Sequence, residues 1–461
     1  MILLRMAFSI AKFADSDTEQ RQIVNMKTIL TILSGILFAF NLGEAQSGGG
    51  VNALSLRQAV DVAWRIHPAL QASENNLRAA EFRVDQVHGG LLPQVYFNTS
   101  FTRWDWVLPN KKIYLGNSLN DLYAEFGVQQ LIYSGGKQAR QQDLAQSGVQ
   151  SEVLSSQRLR QAISFAVTKA YFQLLKAQRL VTVQETAVMN LRDHLQTAES
   201  LYRIGKVSQV DVLKAQVQLA IAEDELAGAQ NNVHVQQLAL NAAMGRDTPQ
   251  AVEVVDNVEE IWAREQSTSF QEEILLNELK NHPEMAKAKL DIQVREQEIA
   301  LARADYYPSL YVRGGYNWED SQVLPGHKNW NLGAALSLPL FRGGATKAQV
   351  RQAEARTEAA QSAEQALRQK LEFGVRAGLV SLEDAKRRVG SAQEIVQLAE
   401  ESMKVTALKY STGKGASLDV LDAQAVLTNT RLSFTQALTD YALVKAELYY
   451  NIGADALPFE E

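Results

Sequence analysis

The chain contains no cysteine. This absence excludes disulfide bonds, thiolate metal sites and a cysteine nucleophile. It also excludes lipid attachment to an N-terminal cysteine, so any association with a membrane has to come from the fold itself. The net charge of −6 and the lack of a basic stripe give no support for nucleic acid binding.

Long apolar runs are also scarce. One 12-residue run, Ile29–Phe40, follows Lys27 near the N-terminus, and Gly43-Glu44-Ala45 then supplies the small residues of a cleavage site. We therefore interpret residues 1–45 as a signal peptide region in which translation starts at Met26, and we expect an exported protein. An N-terminal membrane anchor is the alternative, although the run is short for a helix that spans a bilayer.

Proline and glycine are few, with 9 and 27 copies in 461 residues. Between them Leu, Ala, Gln and Glu dominate, which is the composition of long helices. The segments Gly135–Tyr202 and Gly343–Tyr410 each have 68 residues and no proline. A continuous helix of this length would extend roughly 100 Å. From Leu382 the apolar positions advance by alternating steps of three and four, which indicates helices packed side by side.

The second half of the chain repeats the first. Residues 67–95 correspond to 282–310 at an offset of 215, and the offset is 208 afterwards. A duplication of this length means that one architecture is built twice. Four later landmarks occur once in each half. They are a Gly-Gly pair (Gly135-Gly136 and Gly343-Gly344), a Gly-Lys turn (Gly205-Lys206 and Gly413-Lys414), an Asp-Val-Leu segment (Asp211-Val212-Leu213 and Asp419-Val420-Leu421) and a terminal glycine (Gly245 and Gly453).

Four segments change to a period of two and carry one apolar face. They lie at about 94–107, 121–134, 309–318 and 330–341. A length of about 9–14 residues suits a tilted strand that spans a bilayer, whereas strands in globular proteins usually have about 5–6. Aromatic residues near the strand ends suit a membrane–water boundary. Four strands would leave open edges, so we expect the sheet to close by oligomerisation. A soluble sandwich of two hairpins is the alternative.

The order of these elements resembles the outer-membrane efflux protein family, the TolC-like channels of Gram-negative bacteria. The resemblance is carried by the two His-Pro helix starts at 67 and 282, the Leu338–Gly344 junction and the two Gly-Lys turns. It implies an α+β membrane protein in which three copies, with four strands each, close a 12-stranded outer-membrane β-barrel. A long α-helical coiled-coil tunnel would continue this barrel into the periplasm.

The resemblance also implies a function. The protein would be a passive exit channel of a tripartite efflux or type I secretion system, surrounded by outer-membrane lipid. Its partners would be a periplasmic adaptor (membrane fusion) protein and an inner-membrane pump of the RND or ABC type. The competing hypothesis is an exported, soluble coiled-coil scaffold or adaptor without a pore.

The duplication divides the mature chain. Residues 46–245 form the first repeat, with the order helix, strand, strand, long helix, turn and helix. Residues 246–270 form an acidic, irregular linker at the equatorial region. Residues 271–453 form the second repeat, and residues 454–461 form a C-terminal tail.

A structural role alone would explain the residues of the two Gly-Lys turns. Gly205 and Gly413 permit a left-handed residue where the chain reverses. Ser208 and Ser417 are predicted N-caps of the helices that follow. An aspartate in the first turn of each helix adds favourable negative charge near its N-terminus.

By the resemblance, these turns are also the periplasmic tips that contain the gate. Asp419 and Asp422 match two aspartates that ring the closed aperture. Asp211 and Tyr410 match two further gate residues. Rings of carboxylates on a trimer axis would favour cations and bind a divalent ion. Gly415 departs from the family pattern, which has an arginine that braces the closed state. The segments that match adaptor-docking tips are Gly205-Lys206-Val207 and Gly413-Lys414-Gly415.

The sequence contains no recognisable motif for catalysis, a cofactor or a metal. HExxH, GxSxG and nucleotide-binding glycine loops do not occur. We interpret His67 and His282 as caps at helix starts rather than as metal ligands. We therefore predict that the protein is not an enzyme.

Overall fold

A computed structural model of the chain describes residues 52–247, 252–265, 270–321 and 327–454. The predicted signal peptide region 1–45, its start at Met26 and residues 455–461 of the predicted tail lie outside these ranges. The helices, numbered along the described chain, are α1 (Leu56–Ile66), α2 (Pro68–Gly89), α3 (Lys112–Leu115), α4 (Lys137–Arg203), α5 (Gln209–Ala243), α6 (Val258–Glu265), α7 (Glu272–Glu278), α8 (Pro283–Ala304), α9 (Ala345–Ser411) and α10 (Ser417–Ile452). No helix in these ranges is both long and apolar enough to be a membrane span.

Two helices of equal length dominate the fold. Both α4 and α9 contain 67 residues, so each extends roughly 100 Å. Each begins after a Gly-Gly pair whose second glycine is left-handed, with φ +80° at Gly136 and φ +85° at Gly344. A residue with a Cβ atom would be strained there, which explains why the pair recurs in both halves.

The helices pack side by side. In the half that contains the Gly-Lys turns, α5 packs along α4, α4 along α10, and α10 along α9. In the half next to the strands, α2 packs on α4, α4 on α8, and α8 on α9. The seam predicted in α9 is buried, since Leu382, Ala385 and Val389 join the same hydrophobic core as Leu438 of α10. The alternating spacing of three and four therefore predicted a helix contact correctly.

The strands are β1 (Asn52–Leu54), β2 (Gln94–Arg103), β3 (Asn120–Tyr133), β4 (Val252–Val254), β5 (Ser309–Asp320) and β6 (His327–Ser337). Four of them form an antiparallel sheet in the order β2-β3-β5-β6. The second of the predicted strands, at 121–134, is shifted by one residue, and the third extends beyond 318. The first ends before the predicted residue 107, and the fourth ends before 341. Pro339 contributes to the early end of β6, because proline has no N–H to donate to a ladder.

The register divides this sheet into two faces. On the apolar face Val95 pairs with Val128, and Tyr316 pairs with Trp330. On the polar face Glu125 pairs with Asn98 and with Asn317. The apolar face is open in the single chain: the side chains of Phe97, Phe101, Trp330 and Leu332 are between 63% and 73% exposed. Both faces continue across all four strands.

The segment 246–270, predicted to be an irregular linker, contains regular structure. Within it β4 pairs in parallel with β1, and α6 follows. Val258, Ile261 and Trp262 of α6 are buried in the main core, and Trp262 packs edge-on against Tyr441 at 5.0 Å between ring centres. The prediction of an irregular segment was wrong because spaced apolar residues give this acidic stretch an amphipathic face.

The helix α4 joins the two repeats. Arg158 Nε donates to Glu284 Oε1 at 2.6 Å, and its Nη1 atom donates to the Tyr450 carbonyl at 3.0 Å. Gln161 Nε2 donates to the Gly453 carbonyl at 2.8 Å. One face of α4 therefore holds both the start of α8 and the end of α10.

Candidate functional site

The two Gly-Lys turns have the same backbone geometry. Gly205 has φ +71° and Gly413 has φ +78°. The N–H of each glycine donates to a carbonyl three residues earlier, Tyr202 at 2.8 Å and Tyr410 at 2.9 Å. The following Lys206 and Lys414 donate to carbonyls five residues earlier, and both lysine side chains are exposed. Of the remaining predicted tip residues, Val207 and Gly415 are half-buried.

The helices that follow these turns are capped differently. Ser208 caps α5 as predicted: its Oγ atom accepts from the Asp211 N–H at 3.4 Å, and Asp211 Oδ2 accepts from the Ser208 N–H at 3.1 Å. The predicted cap at Ser417 was wrong. The N-cap of α10 is Ala416, whose N–H donates to Asp419 Oδ2 at 3.3 Å. Alanine has no side-chain acceptor, so the aspartate alone supplies the cap.

Ser417 instead connects the two helical hairpins, which are α4 with α5 and α9 with α10. Its Oγ atom lies 2.9 Å from Nε2 of His194, and both residues are buried. Burial lowers the pKa of His194, and the negative charge of Asp211 opposes this effect. The ring therefore tends to be neutral, with one nitrogen free to accept a hydrogen bond from the Ser417 hydroxyl.

Tyr410 lies in the same interface. Its side chain is 2% exposed, and its ring centre is 4.8 Å from that of His194. Burial raises the pKa of the Tyr410 phenol. The small core around it contains Ala198, Leu201 and Val420. Tyr410 therefore packs between the hairpins in this structure and does not face an open aperture.

The acidic residues divide into two groups. Asp211 is half-buried, and its carboxylate accepts the Ser208 N–H in the cap of α5. Asp419 and Asp422 are exposed and lie one helical turn apart at the start of α10. Neither forms a salt bridge within the described residues. Asp419 also caps α10 through its Oδ2 atom, so both carboxylates are exposed but only Asp422 has no part in a helix cap.

Position 415 has no side chain that can brace the tip. A Cβ atom on Gly415 would lie 3.2 Å from both the Lys409 Cβ and the Tyr410 N atoms. The turn is therefore tight, and a larger residue would press on the end of α9. The contacts that join the hairpins near this position include the hydrogen bond of His194 with Ser417 and the packing of Tyr410.

His194 was not predicted to be a site residue. It belongs to a series with steps of three and four, together with Leu191, Ala198 and Leu201. This spacing predicts a position inside a helix seam. A histidine in such a seam is buried, so the signal was present in the sequence. Among the described residues, no cluster of three or more His, Asp or Glu side chains is arranged to hold a metal ion.

Comparisons with known proteins agree with this architecture. The model of the outer membrane efflux protein family matches residues 60–246 and 275–454. The cobalt-zinc-cadmium resistance protein CzcC of Cupriavidus metallidurans is 26% identical over 419 residues, which cover 88% of this chain and 94% of CzcC. The outer membrane protein TolC of Vibrio cholerae is 26% identical over 329 residues, which cover 69% of this chain and 71% of TolC.

A solved structure has the same fold. The outer membrane channel CmeC of Campylobacter jejuni is similar with a TM-score of 0.73 and 18% sequence identity, over 88% of this chain and 87% of CmeC. The family model and the relatives place this fold in the class of outer-membrane channels.

The chain belongs to the outer membrane efflux protein family. It is an exit channel of the efflux or secretion type, located in the outer membrane and extending into the periplasm. Members of this family are channels rather than enzymes, and they belong to systems with several components. The resemblance inferred from the junction residues is confirmed.

Proposed function

We propose that three copies of the chain close a single 12-stranded barrel. The sheet has two open edges, β2 and β6. An unpaired edge exposes a row of backbone N–H and C=O groups, which must be satisfied inside a membrane. Pairing β6 of one copy with β2 of the next removes both edges. The apolar face then meets outer-membrane lipid, and the polar face lines a water-filled passage.

The helices support the same assembly. In the half that contains the Gly-Lys turns, the helices pack in the order α5, α4, α10 and α9. The outermost helices are therefore α5 and α9. Each carries an apolar stripe opposite the seam to its own partner. On α9 this stripe is Phe373, Val380, Leu398 and Val405, and on α5 it is Val210, Leu213, Val217 and Ile221. Contact between α5 of one copy and α9 of the next covers both stripes, as in a homotrimer whose helices form a closed tunnel.

The tip of this tunnel is the proposed gate. Asp419 and Asp422 are the observation that carries this proposal, because both are exposed at the start of α10 and neither forms a salt bridge within the described residues. In a trimer they supply six carboxylates around one narrow passage, which favours cations and repels anions. Tyr410 packs between the two hairpins next to this ring, and Asp211 caps α5 beside it. Opening is a movement of the hairpins between two packings of the same helices.

The tips also provide a docking surface for partners. The predicted docking segments are Gly205-Lys206-Val207 and Gly413-Lys414-Gly415, whose two lysines are exposed. A helical hairpin of a periplasmic adaptor would dock on these segments. The adaptor would connect the passive duct to an inner-membrane pump of the RND or ABC type.

The experiment is a pair of substitutions, Asp419→Ala with Asp422→Ala, measured as single channels in a planar bilayer. We expect a reduced preference for cations and loss of block by divalent ions. The matched control, Asp224→Ala with Glu225→Ala, removes the same charge from exposed positions further along α5. If the tip variant and the control keep the same ion preference and the same divalent block, the aperture is not at these residues.

A further inference from the structure

The loop between β2 and β3 folds back onto the sheet. It runs from Trp104 to Leu119 and contains α3. The N–H of Trp104 donates to the Leu119 carbonyl at 2.8 Å, which closes the base of the loop. Leu115 of α3 is 3% exposed, and α3 packs against β5. The loop is therefore anchored on the protein and does not extend freely into solvent.

Lys111 fixes this loop to two strands. Its Nζ atom lies 2.9 Å from Asp121 Oδ2 of β3 and 2.5 Å from Glu319 Oε1 of β5. Trp104 Nε1 donates to the same Asp121 oxygen at 3.1 Å. Asp121 is 4% exposed, so its carboxylate depends on these partners for compensation. We call the triad Lys111, Asp121 and Glu319 the loop latch.

The loop latch lies on the polar face. Asp121 precedes Leu122 of the apolar face, so it points to the opposite side of β3. Glu319 pairs with Tyr123 on that same side. The latch is at the ends of β3 and β5 that are remote from the helices, since the Gly-Gly pair leading into α4 follows the other end of β3. In the proposed barrel this position is inside the lumen, at the extracellular end.

We propose that loop 104–119 forms a second constriction at the extracellular exit, and that Lys111 determines the size of solute that passes. This inference rests on the proposed barrel. Three copies of the loop project into one lumen from three sides. Removing the Lys111 amine breaks both ion pairs at once and leaves two carboxylates that repel each other. A large cargo has to displace this loop, whereas small ions pass beside it.

The absence of cysteine permits a direct test. Gln129 is an exposed residue on the polar face, where it pairs with Arg313, and it lies closer to the helices than the loop latch. A Gln129→Cys chain has a single thiol. Intact cells are treated from outside with a small maleimide and, separately, with a maleimide attached to a large polyethylene glycol. The large reagent reaches the thiol only through the exit.

In the Gln129→Cys background we expect Lys111→Met to increase the labelling rate of the large reagent about ten-fold or more, because two charge-assisted hydrogen bonds are lost. The small reagent should label both chains equally. The matched control Lys112→Met removes the same charge from the neighbouring, exposed side chain and should not change either rate.

The possible outcomes distinguish a failure of the proposed constriction from a failure of the proposed barrel. Equal rates of labelling by the large reagent in Lys111→Met and Lys112→Met would overturn the proposed constriction. If even the small reagent fails to label Gln129→Cys in cells but labels the denatured protein, the polar face does not line an outward-open lumen. In that case the proposed barrel fails, and the inference fails with it.

Discussion

Gly453 packs against His282 so closely that a Cβ atom at position 453 would lie 2.6 Å from the His282 Cδ2 atom. Gly453 also has φ +73°, in the left-handed region. The first repeat has the same contact, since a Cβ atom on Gly245 would lie 2.8 Å from the His67 Cα atom. Each repeat therefore closes by packing its terminal glycine on the His-Pro pair near its start.

This contact predicts the effect of Gly453→Ala. The left-handed backbone costs a residue with a Cβ atom about 1–2 kcal/mol, and the crowding with His282 adds a similar amount. We expect a clear loss of unfolding free energy, measured by denaturant titration. The control is Gly228→Ala inside α5, where an added Cβ atom has no neighbour within 4 Å. It should stabilise the helix by about 0.5–1 kcal/mol. Equal stabilities of the two variants would refute the contact.

His282 makes the stability depend on pH. Burial lowers its pKa to about 4, and the positive charge of Arg158 adds to this effect. In the unfolded chain the imidazole of His282 takes up its proton near pH 6.5. Between about pH 4 and 6.5 the unfolded state therefore binds more protons than the folded state. The stabilisation is complete above about pH 6.5 and decreases as the pH falls towards about 4, by up to about 3 kcal/mol.

The pH dependence is checked by denaturation at several pH values. His282 Nδ1 accepts a hydrogen bond from the Glu284 N–H at 3.1 Å. His282→Asn keeps a side-chain acceptor for this N–H but removes the titrating group. We expect a smaller loss of stability in acid for this variant. The same substitution at His234, an exposed residue of α5, should leave the acid sensitivity unchanged. An identical pH profile for His282→Asn and the unmodified chain would show that His282 is not responsible.

The hydrogen bond between His194 and Ser417 predicts a change in gating. In His194→Leu the apolar packing is retained, but the buried Ser417 hydroxyl loses its partner, which costs about 1–3 kcal/mol. We expect the two hairpins to separate more readily, so that single channels spend a larger fraction of time open. His234→Leu is the control. An unchanged open fraction would mean that this contact does not restrain the tip.

The stripe on α9 predicts the effect of a charge at the proposed subunit contact. Leu398 is 72% exposed in the single chain, so Leu398→Glu should not disturb the folded protomer. It would bury an unpaired carboxylate between copies, and we expect loss of the trimer in detergent, measured by light scattering. Gln397→Glu adds the same charge at the preceding exposed position and should remain trimeric. A trimer of unchanged stability in both variants would exclude this face as the contact.

Much of the fold was accessible from the sequence because it repeats. The steps of three and four from Leu382 predicted the buried seam of α9. The alternation in β3 and β5 predicted the two faces of the sheet. Gly136 and Gly344 indicated helix starts because a left-handed residue precedes each helix. These signals are local, and the duplication supplied each of them twice.

The parts that the sequence did not predict depend on contacts between distant residues. Ser417 was assigned as a cap because of its position before a helix, but its hydroxyl bonds to His194. Lys111 is a loop residue, and only the folded sheet places its partners Asp121 and Glu319 beside it. No local pattern distinguishes such a lysine from a solvated one.

We propose a membrane channel that narrows at an acidic tip. The most direct measurement is the single-channel conductance of the detergent-purified protein in a planar bilayer, with a salt gradient across it. We expect small conductance steps and a reversal potential that favours cations. Failure of a well-folded sample to insert and conduct would contradict it, and would favour a soluble coiled-coil scaffold.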